Sequence, residues 1–546
     1  MIDMVSSSFS RIAAVFALIF SIIYEPAFAG DGNKDNSSFI LTPEAPDTPR
    51  INGARKYGAR PGSDFLYRVP ATGVRPMLFA AEGLPKGLKI DSSTGIISGA
   101  VKKEGTYKVL LSAENSQGRY EREFTIIIGD NLSLTPPLGW NSWNCWGNTV
   151  TQEKVMAAAK AMEEKGLADY GWSYINIDDG WQGIRGGKYN AIQPNRKFPD
   201  IKALADSIHA MGMKIGIYSG PWVATYAGHI GTHCDNPDGR YEWVEKKLHD
   251  ENYKLDDPSG KYTRENQRRS GEFSFAEEDA AQWAEWGIDY LKYDWYPADY
   301  YSLKEMHDAL AGTGRDIVYS ISNGALFGLA PAFAEFAQCW RTTGDITDTW
   351  KSVSGIGFRE QDRWAPYRSP GHWPDADMLV VGHVGWGEKT HPTRLTPDEQ
   401  YSHITLWAML ASPMLLGCDM SKLDDFTISL LCNSEVIDIH QDVLGYQASK
   451  YYSDSGYATY VKPLEDGSVA VAMFNLSDSI RKIGFIPKHI GIIGTQKIRD
   501  VWRQKDIAEI DYRQRWETEV APHGVVLVKV YPGNTKDKVV GYFRGR

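Results

Sequence analysis

The chain has 546 residues, of which 42% are apolar and 23% charged. That balance belongs to a globular protein long enough for two or three domains with cores of their own. A formal net charge of -10 disfavours a nucleic-acid partner, which would want a basic face.

In chain order, Arg11 precedes an apolar run over 12–24, and Ala27-Phe28-Ala29 is a small-x-small cleavage pattern. Residues 1–29 therefore read as a secretory signal peptide, with an apolar run too short for a comfortable membrane span. No later run reaches that length, so no membrane insertion is expected, and the product is placed in the periplasm or outside the cell. Residues 30–50 are polar and read as a linker. Over 51–130, short β-branched runs alternate with turn glycines, as in Gly83-Leu84-Pro85-Lys86-Gly87 and Thr94-Gly95-Ile96-Ile97-Ser98-Gly99. This predicts a small Ig-like β-sandwich. It carries no catalytic constellation and reads as a support, with carbohydrate binding the alternative.

Residues 131–440 change texture. Eight apolar runs alternate with helical patterns: 138–141, 174–177, 214–218, 290–293, 317–320, 339–342, 378–381 and 414–417. Eight β/α units over this length predict a (β/α)₈ TIM barrel. A doubly wound open sheet would want a Gly-rich phosphate loop after its first strand, and none is present. Val155, Ala158, Ala159 and Met162 share one helical face, which Gly166 can end. Thr396-Pro397-Asp398-Glu399 is a capping box opening a long helix. In the third unit some fifty polar residues, 221–275, separate strand from helix. A loop of that length is functional or disordered, and on a barrel it stands on the active-site side. Residues 441–546 return to strands and predict an antiparallel β domain. Five widely spaced cysteines argue against a disulfide framework. They leave room for one bridge but favour buried thiols. Nothing calls for a metal or organic cofactor.

The ends of the barrel strands carry the chemistry. Strand one ends in Trp140-Asn141-Ser142-Trp143, strand two in Asp178-Asp179-Gly180-Trp181, strand three at Tyr218 and strand four in Lys292-Tyr293-Asp294-Trp295. Strand six gives Arg341-Thr342-Thr343-Gly344-Asp345, and strand seven has Trp373-Pro374-Asp375-Ala376-Asp377 at its edge. Carboxylates to act as acid, base and nucleophile meet aromatic rings to stack on sugar, which is the equipment of a glycosidase.

These motifs, with Thr135-Pro136-Pro137-Leu138-Gly139 before the first and Met378-Leu379 after the last, resemble glycoside hydrolase family 27, the α-galactosidases and α-N-acetylgalactosaminidases. Five motifs match in order across the whole barrel. The resemblance implies a retaining double displacement, with Asp294 as nucleophile and Asp345 as acid/base. It also implies that Asp178 and Asp179 grip the O4 and O6 hydroxyls. Trp143 becomes the stacking ring, and Tyr218, Lys292, Arg341 and Asp377 the hydroxyl-binding shell. Trp140 and Trp181 read as packing or wall residues. Lys292 is expected to keep Asp294 ionised, whereas Asp345 is expected to hold its proton through a raised pKa.

Two departures stand out. A cysteine pair that often bridges the loops after strands three and four is replaced by Tyr226 and by Trp295-Tyr296. Ser322 falls where the α-galactosidases often have a Glu near O2; with Ala325 it looks like the small pair that admits an acetamide. The expected partner is an α-galactosyl-containing oligo- or polysaccharide. N-acetylgalactosamine and β-L-arabinopyranose are the alternative sugars, and binding without turnover is the remote one.

Overall fold

The computed structural model describes residues 35–241, 243 and 264–532. The segment expected to be a signal peptide lies outside the described residues. The barrel strands are β1 (Leu138–Asn141), β2 (Tyr174–Asn176), β3 (Lys214–Ser219), β4 (Tyr290–Asp294), β5 (Val318–Ser322), β6 (Cys339–Arg341), β7 (Trp373–Asp375) and β8 (Met414–Leu416). They pair in parallel in the order β7-β6-β5-β4-β3-β2-β1-β8. A bridge between Leu379 and Leu416 closes the ring. There the Leu379 N–H donates to the Leu415 carbonyl at 2.8 Å, and Gly417 N–H returns a bond to Leu379 at 3.0 Å. These strands are apolar runs rather than alternations because the barrel interior covers one face and helices cover the other.

The seventh unit differs from the expectation. Its paired strand is Trp373–Asp375, not the apolar run 378–381. Asp377 takes a left-handed backbone, φ 79°, which breaks the strand before that run begins. Leu379, Val380 and Val381 are fully buried all the same. The run therefore marks burial and ring closure rather than a full strand.

Local rules account for the helices. Gln152–Glu164 starts at Thr151, whose side chain accepts from Lys154 N–H. It buries the predicted face of Val155, Ala158, Ala159 and Met162, and left-handed Gly166 follows it. In Pro397–Leu410 both arms of the capping box are made between Thr396 and Glu399. That helix is buried almost all round, between the barrel and the C-terminal sheet.

The N-terminal module pairs Lys56–Ala59, Gly118–Ile128, Gly105–Asn115 and Leu78–Glu82 in one sheet and Asp64–Arg68, Ile96–Ala100 and Leu88–Ile90 in another. Phe65, Ile97, Phe124 and Ile126 fill its core. The C-terminal domain is a six-stranded antiparallel sheet with a two-stranded companion. The stretch read as linker is docked along 36–42: Tyr401 donates to the Phe39 carbonyl at 2.8 Å, and Thr42 to Ser429 at 2.8 Å. All five cysteines are buried thiols.

Candidate active site

The parallel register carries the polar residues to one rim. Asp294 is the last residue of β4, opposite Ser322 of β5. Lys292 lies opposite Tyr218 of β3, and Arg341 of β6 opposite Asp375 of β7. Period-two alternation turns Lys292 and Asp294 to the same face.

Asp294 is 8% exposed. Its Oδ2 accepts from the Tyr218 hydroxyl at 3.0 Å, while Oδ1 has no protein partner among the described residues. Burial pushes its carboxyl up to about 7; Lys292 and Arg341 oppose the shift, and Asp345 and Asp178 add to it. Asp345 differs in kind. Its side chain is 67% exposed and accepts from Arg341 Nη2 at 3.0 Å. Partial burial pushes that carboxyl up, but the Arg341 and Lys292 charges overcome it and hold it below the ordinary range. The order is thus the reverse of the sequence expectation. The position of Asp294 in the floor decides its case, and the salt bridge decides that of Asp345.

Asp178 is tied down on both sides. Lys292 Nζ reaches its Oδ2 at 2.8 Å and Asn141 Nδ2 the same atom at 2.9 Å, while Asp179 N–H meets Oδ1 at 2.8 Å. Asp179 is held by the long loop: Thr225 Oγ1 donates to its Oδ1 at 2.9 Å and Ala227 N–H to its Oδ2 at 2.8 Å. Burial pushes Asp179 up to about 6 against those bonds. Arg341 pairs with Asp377 at 3.0 Å and bonds Ser322 Oγ at 3.3 Å. Asp377 in turn accepts from Ile346 N–H at 2.7 Å, which fixes the Asp345 loop. Trp143 is half-buried against the barrel core. Trp140 and Trp181 are wholly buried, their indole N–H groups on the carbonyls of Cys418 and Tyr218.

Six carboxyls, Asp178, Asp179, Asp294, Asp345, Asp375 and Asp377, thus crowd around two cations, Lys292 and Arg341. They cannot all ionise in a dry pocket, and the raised pKa values of Asp179, Asp294, Asp375 and Asp377 follow. Every residue expected at the site reaches this rim or the wall behind it. Sequence reasoning missed Asn141, Asp375, Thr225 and Ala227. Asn141 and Asp375 stood inside quoted motifs. Thr225 and Ala227 gave no signal beyond the length of their loop. Among the described residues no cluster of His, Cys, Asp and Glu could hold a metal ion.

A barrel whose strand ends pair a buried carboxylate with an exposed one, around ion-paired hydroxyl-binding groups, has the makings of a glycoside hydrolase. Comparison with known proteins agrees. The model of “Alpha galactosidase A” matches 135–239 and 236–442. The α-galactosidase C-terminal β-sandwich model matches 454–530, and an Ig-domain model 33–129. The chain is 32% identical over 406 residues to α-galactosidase 2 of Arabidopsis thaliana, covering 73% of this chain and 90% of that protein. A Bacteroides fragilis crystal structure described as a “putative alpha-galactosidase/melibiase” superposes with a TM-score of 0.77 at 34% identity, over 90% of this chain and 99% of that one. A Geobacillus stearothermophilus β-L-arabinopyranosidase superposes at 0.62 and 29% identity, over 74% and 98%. The chain belongs to the α-galactosidase family, glycoside hydrolase family 27, and is a glycoside hydrolase with an N-terminal Ig-like module.

Proposed function

We propose that the chain is a retaining α-galactosidase that removes terminal α-D-galactosyl residues from oligo- or polysaccharides by double displacement. The observation that carries this reading is the asymmetry of the two aspartates. Asp294 lies on the pocket floor with Oδ1 unpartnered, where an anomeric carbon can be attacked from below. Asp345 stands exposed at the mouth, where a departing oxygen passes. In the first step Asp294 Oδ1 forms the ester bond to the anomeric carbon as Asp345 protonates the leaving oxygen. In the second, Asp345 takes a proton from water, and that water displaces Asp294. The Arg341 salt bridge keeps Asp345 ionised, the form needed for the second step. For the first, Asp345 must swing from Arg341 and pick up a proton, which its exposure allows.

Asp178, fixed by Lys292 and Asn141, suits an axial O4, and a site built to pair that hydroxyl discriminates strongly against its epimer. A second reading, α-N-acetylgalactosaminidase, is favoured by Ser322 and Ala325, both small and buried beside Arg341. Export follows from the 1–29 pattern and is part of the proposal. The test is hydrolysis of p-nitrophenyl α-galactoside, the α-N-acetylgalactosaminide and the β-L-arabinopyranoside, with Asp294→Ala as control. Release from the galactoside alone, abolished in the variant, is expected. Preference for the acetamido sugar selects the second reading, and release from none of the three overturns both.

A further inference from the structure

The loop after β4 turns its side chains alternately in and out. Trp295 is buried, its indole N–H on Asp299 Oδ2 at 3.1 Å. Tyr296 emerges, 53% exposed, two residues beyond Asp294. Among the described residues no hydrogen bond or ring pair holds its side chain.

Its neighbour is the loop after β5. Asn323 and Gly324 both take left-handed backbones, φ 79° and 72°, a conformation glycine adopts freely and asparagine more readily than most. A Cβ placed on Gly324 would lie 3.8 Å from the edge of the Tyr296 ring and 3.7 Å from the Thr343 backbone. The Tyr296 ring and the segment Thr343-Gly344 therefore flank one bare stretch of backbone, and Asp345 is the next residue. On the other side Asn323 is hydrogen-bonded to Tyr226. An exposed aromatic ring, a floor without a side chain and the exposed carboxylate thus adjoin at the mouth.

We propose that Tyr296 forms a leaving-group subsite that stacks on the face of a pyranose ring in the aglycone. This rests on the double-displacement reading, in which Asp345 meets the departing oxygen, so the sugar attached to that oxygen must lie over this floor. A ring here binds by apolar contact with the C–H face of the sugar. It adds to kcat/KM for sugar leaving groups, because binding energy away from the reacting bond is recovered in the transition state.

The test uses the full-chain enzyme, α-galactosyl fluoride and melibiose. The fluoride places no sugar in the leaving-group position; melibiose places a glucose there. Tyr296→Ala is expected to lower kcat/KM for melibiose about tenfold while leaving the fluoride within about twofold, the loss of one buried apolar contact. Tyr296→Phe keeps the ring and is expected to hold both rates. An equal loss on both substrates would make Tyr296 a brace for the loop, and no loss on either would leave it idle; each overturns the proposal. Failure of the unmutated enzyme on both substrates is a separate result, which overturns the galactosidase reading and this subsite with it.

Discussion

In the proposed double displacement Asp294 acts only when ionised, yet burial raises its carboxyl to about 7. The cost is a stability term with a definite sign. A folded-state pKa above the unfolded value means the folded chain binds the proton more tightly. Stability from this group is full below the ordinary carboxylate range and is lost as pH rises through about 7. Asp294→Asn removes the titration and keeps an oxygen for the Tyr218 hydroxyl. The variant is therefore expected to melt a few degrees above the parent at pH 8, with the gap closing by pH 4, while turnover disappears. Thermal unfolding across that range checks it, and a gap independent of pH would mean that ionisation of the buried group is not its source. Asp345 carries no such penalty, because Arg341 compensates it. The sequence could name both residues from their motifs. It could not order their acidities, since that order comes from depth and from Arg341, both set by folding.

At the scale of the element, the described start of the long β3 loop, residues 221–241, is an anchored wall, while 242 and 244–263 of the stretch read as loop lie outside the described residues. Thr225 is its hub: its hydroxyl donates to Asp179, accepts from His229 N–H at 3.1 Å, and its backbone N–H bonds the His229 carbonyl at 2.8 Å. Thr225→Val keeps the volume but leaves a buried carboxylate short of a donor, a loss of about 1–3 kcal/mol. We expect a lower melting temperature and a KM raised severalfold with kcat less affected, because the wall is loosened rather than the reacting groups. Thr225→Ser restores the hydroxyl and should restore KM; if Ser behaves as badly as Val, the contact is packing rather than the hydrogen bond. This element also marks what could be read in advance. Seven strands were legible as apolar runs, and the capping box announced the helix Pro397–Leu410, because each is a local pattern. A bond between residues 46 apart leaves no period to detect. The β7 run misled for a related reason: full burial makes an apolar string whether the backbone pairs as a strand or only closes the ring.

Across the whole molecule, the Ig-like module packs on the barrel face opposite the site. Tyr57 takes a bond from Lys214 Nζ at 2.5 Å at the start of β3. Arg60 meets Asp316 through its guanidinium at 2.9 Å and its backbone N–H at 3.0 Å, just before β5. Ser63 bonds the Gly314 carbonyl at 2.9 Å, and Asn52 that of Asp169 at 2.9 Å. These contacts fall at the N-terminal ends of the strands, the end that serves stability in TIM barrels rather than chemistry. The C-terminal sheet is locked on as firmly, with Trp502 Nε1 on Thr405 at 3.0 Å and Lys462 Nζ on the Ala408 carbonyl at 3.1 Å. A module so placed braces the barrel floor, at the strand ends away from the rim that carries Asp294 and Asp345. Arg60→Ala removes the guanidinium from a largely buried pair and leaves Asp316 only the backbone N–H of residue 60, which costs about 1–3 kcal/mol. The expected outcome is a melting temperature lower by a few degrees, with kcat/KM at 25 °C within about twofold on both a p-nitrophenyl galactoside and a galactosylated polymer, since the interface fault lies far from the reacting atoms. A selective loss on the polymer, with the melting temperature unchanged, would instead give the module a part in holding substrate.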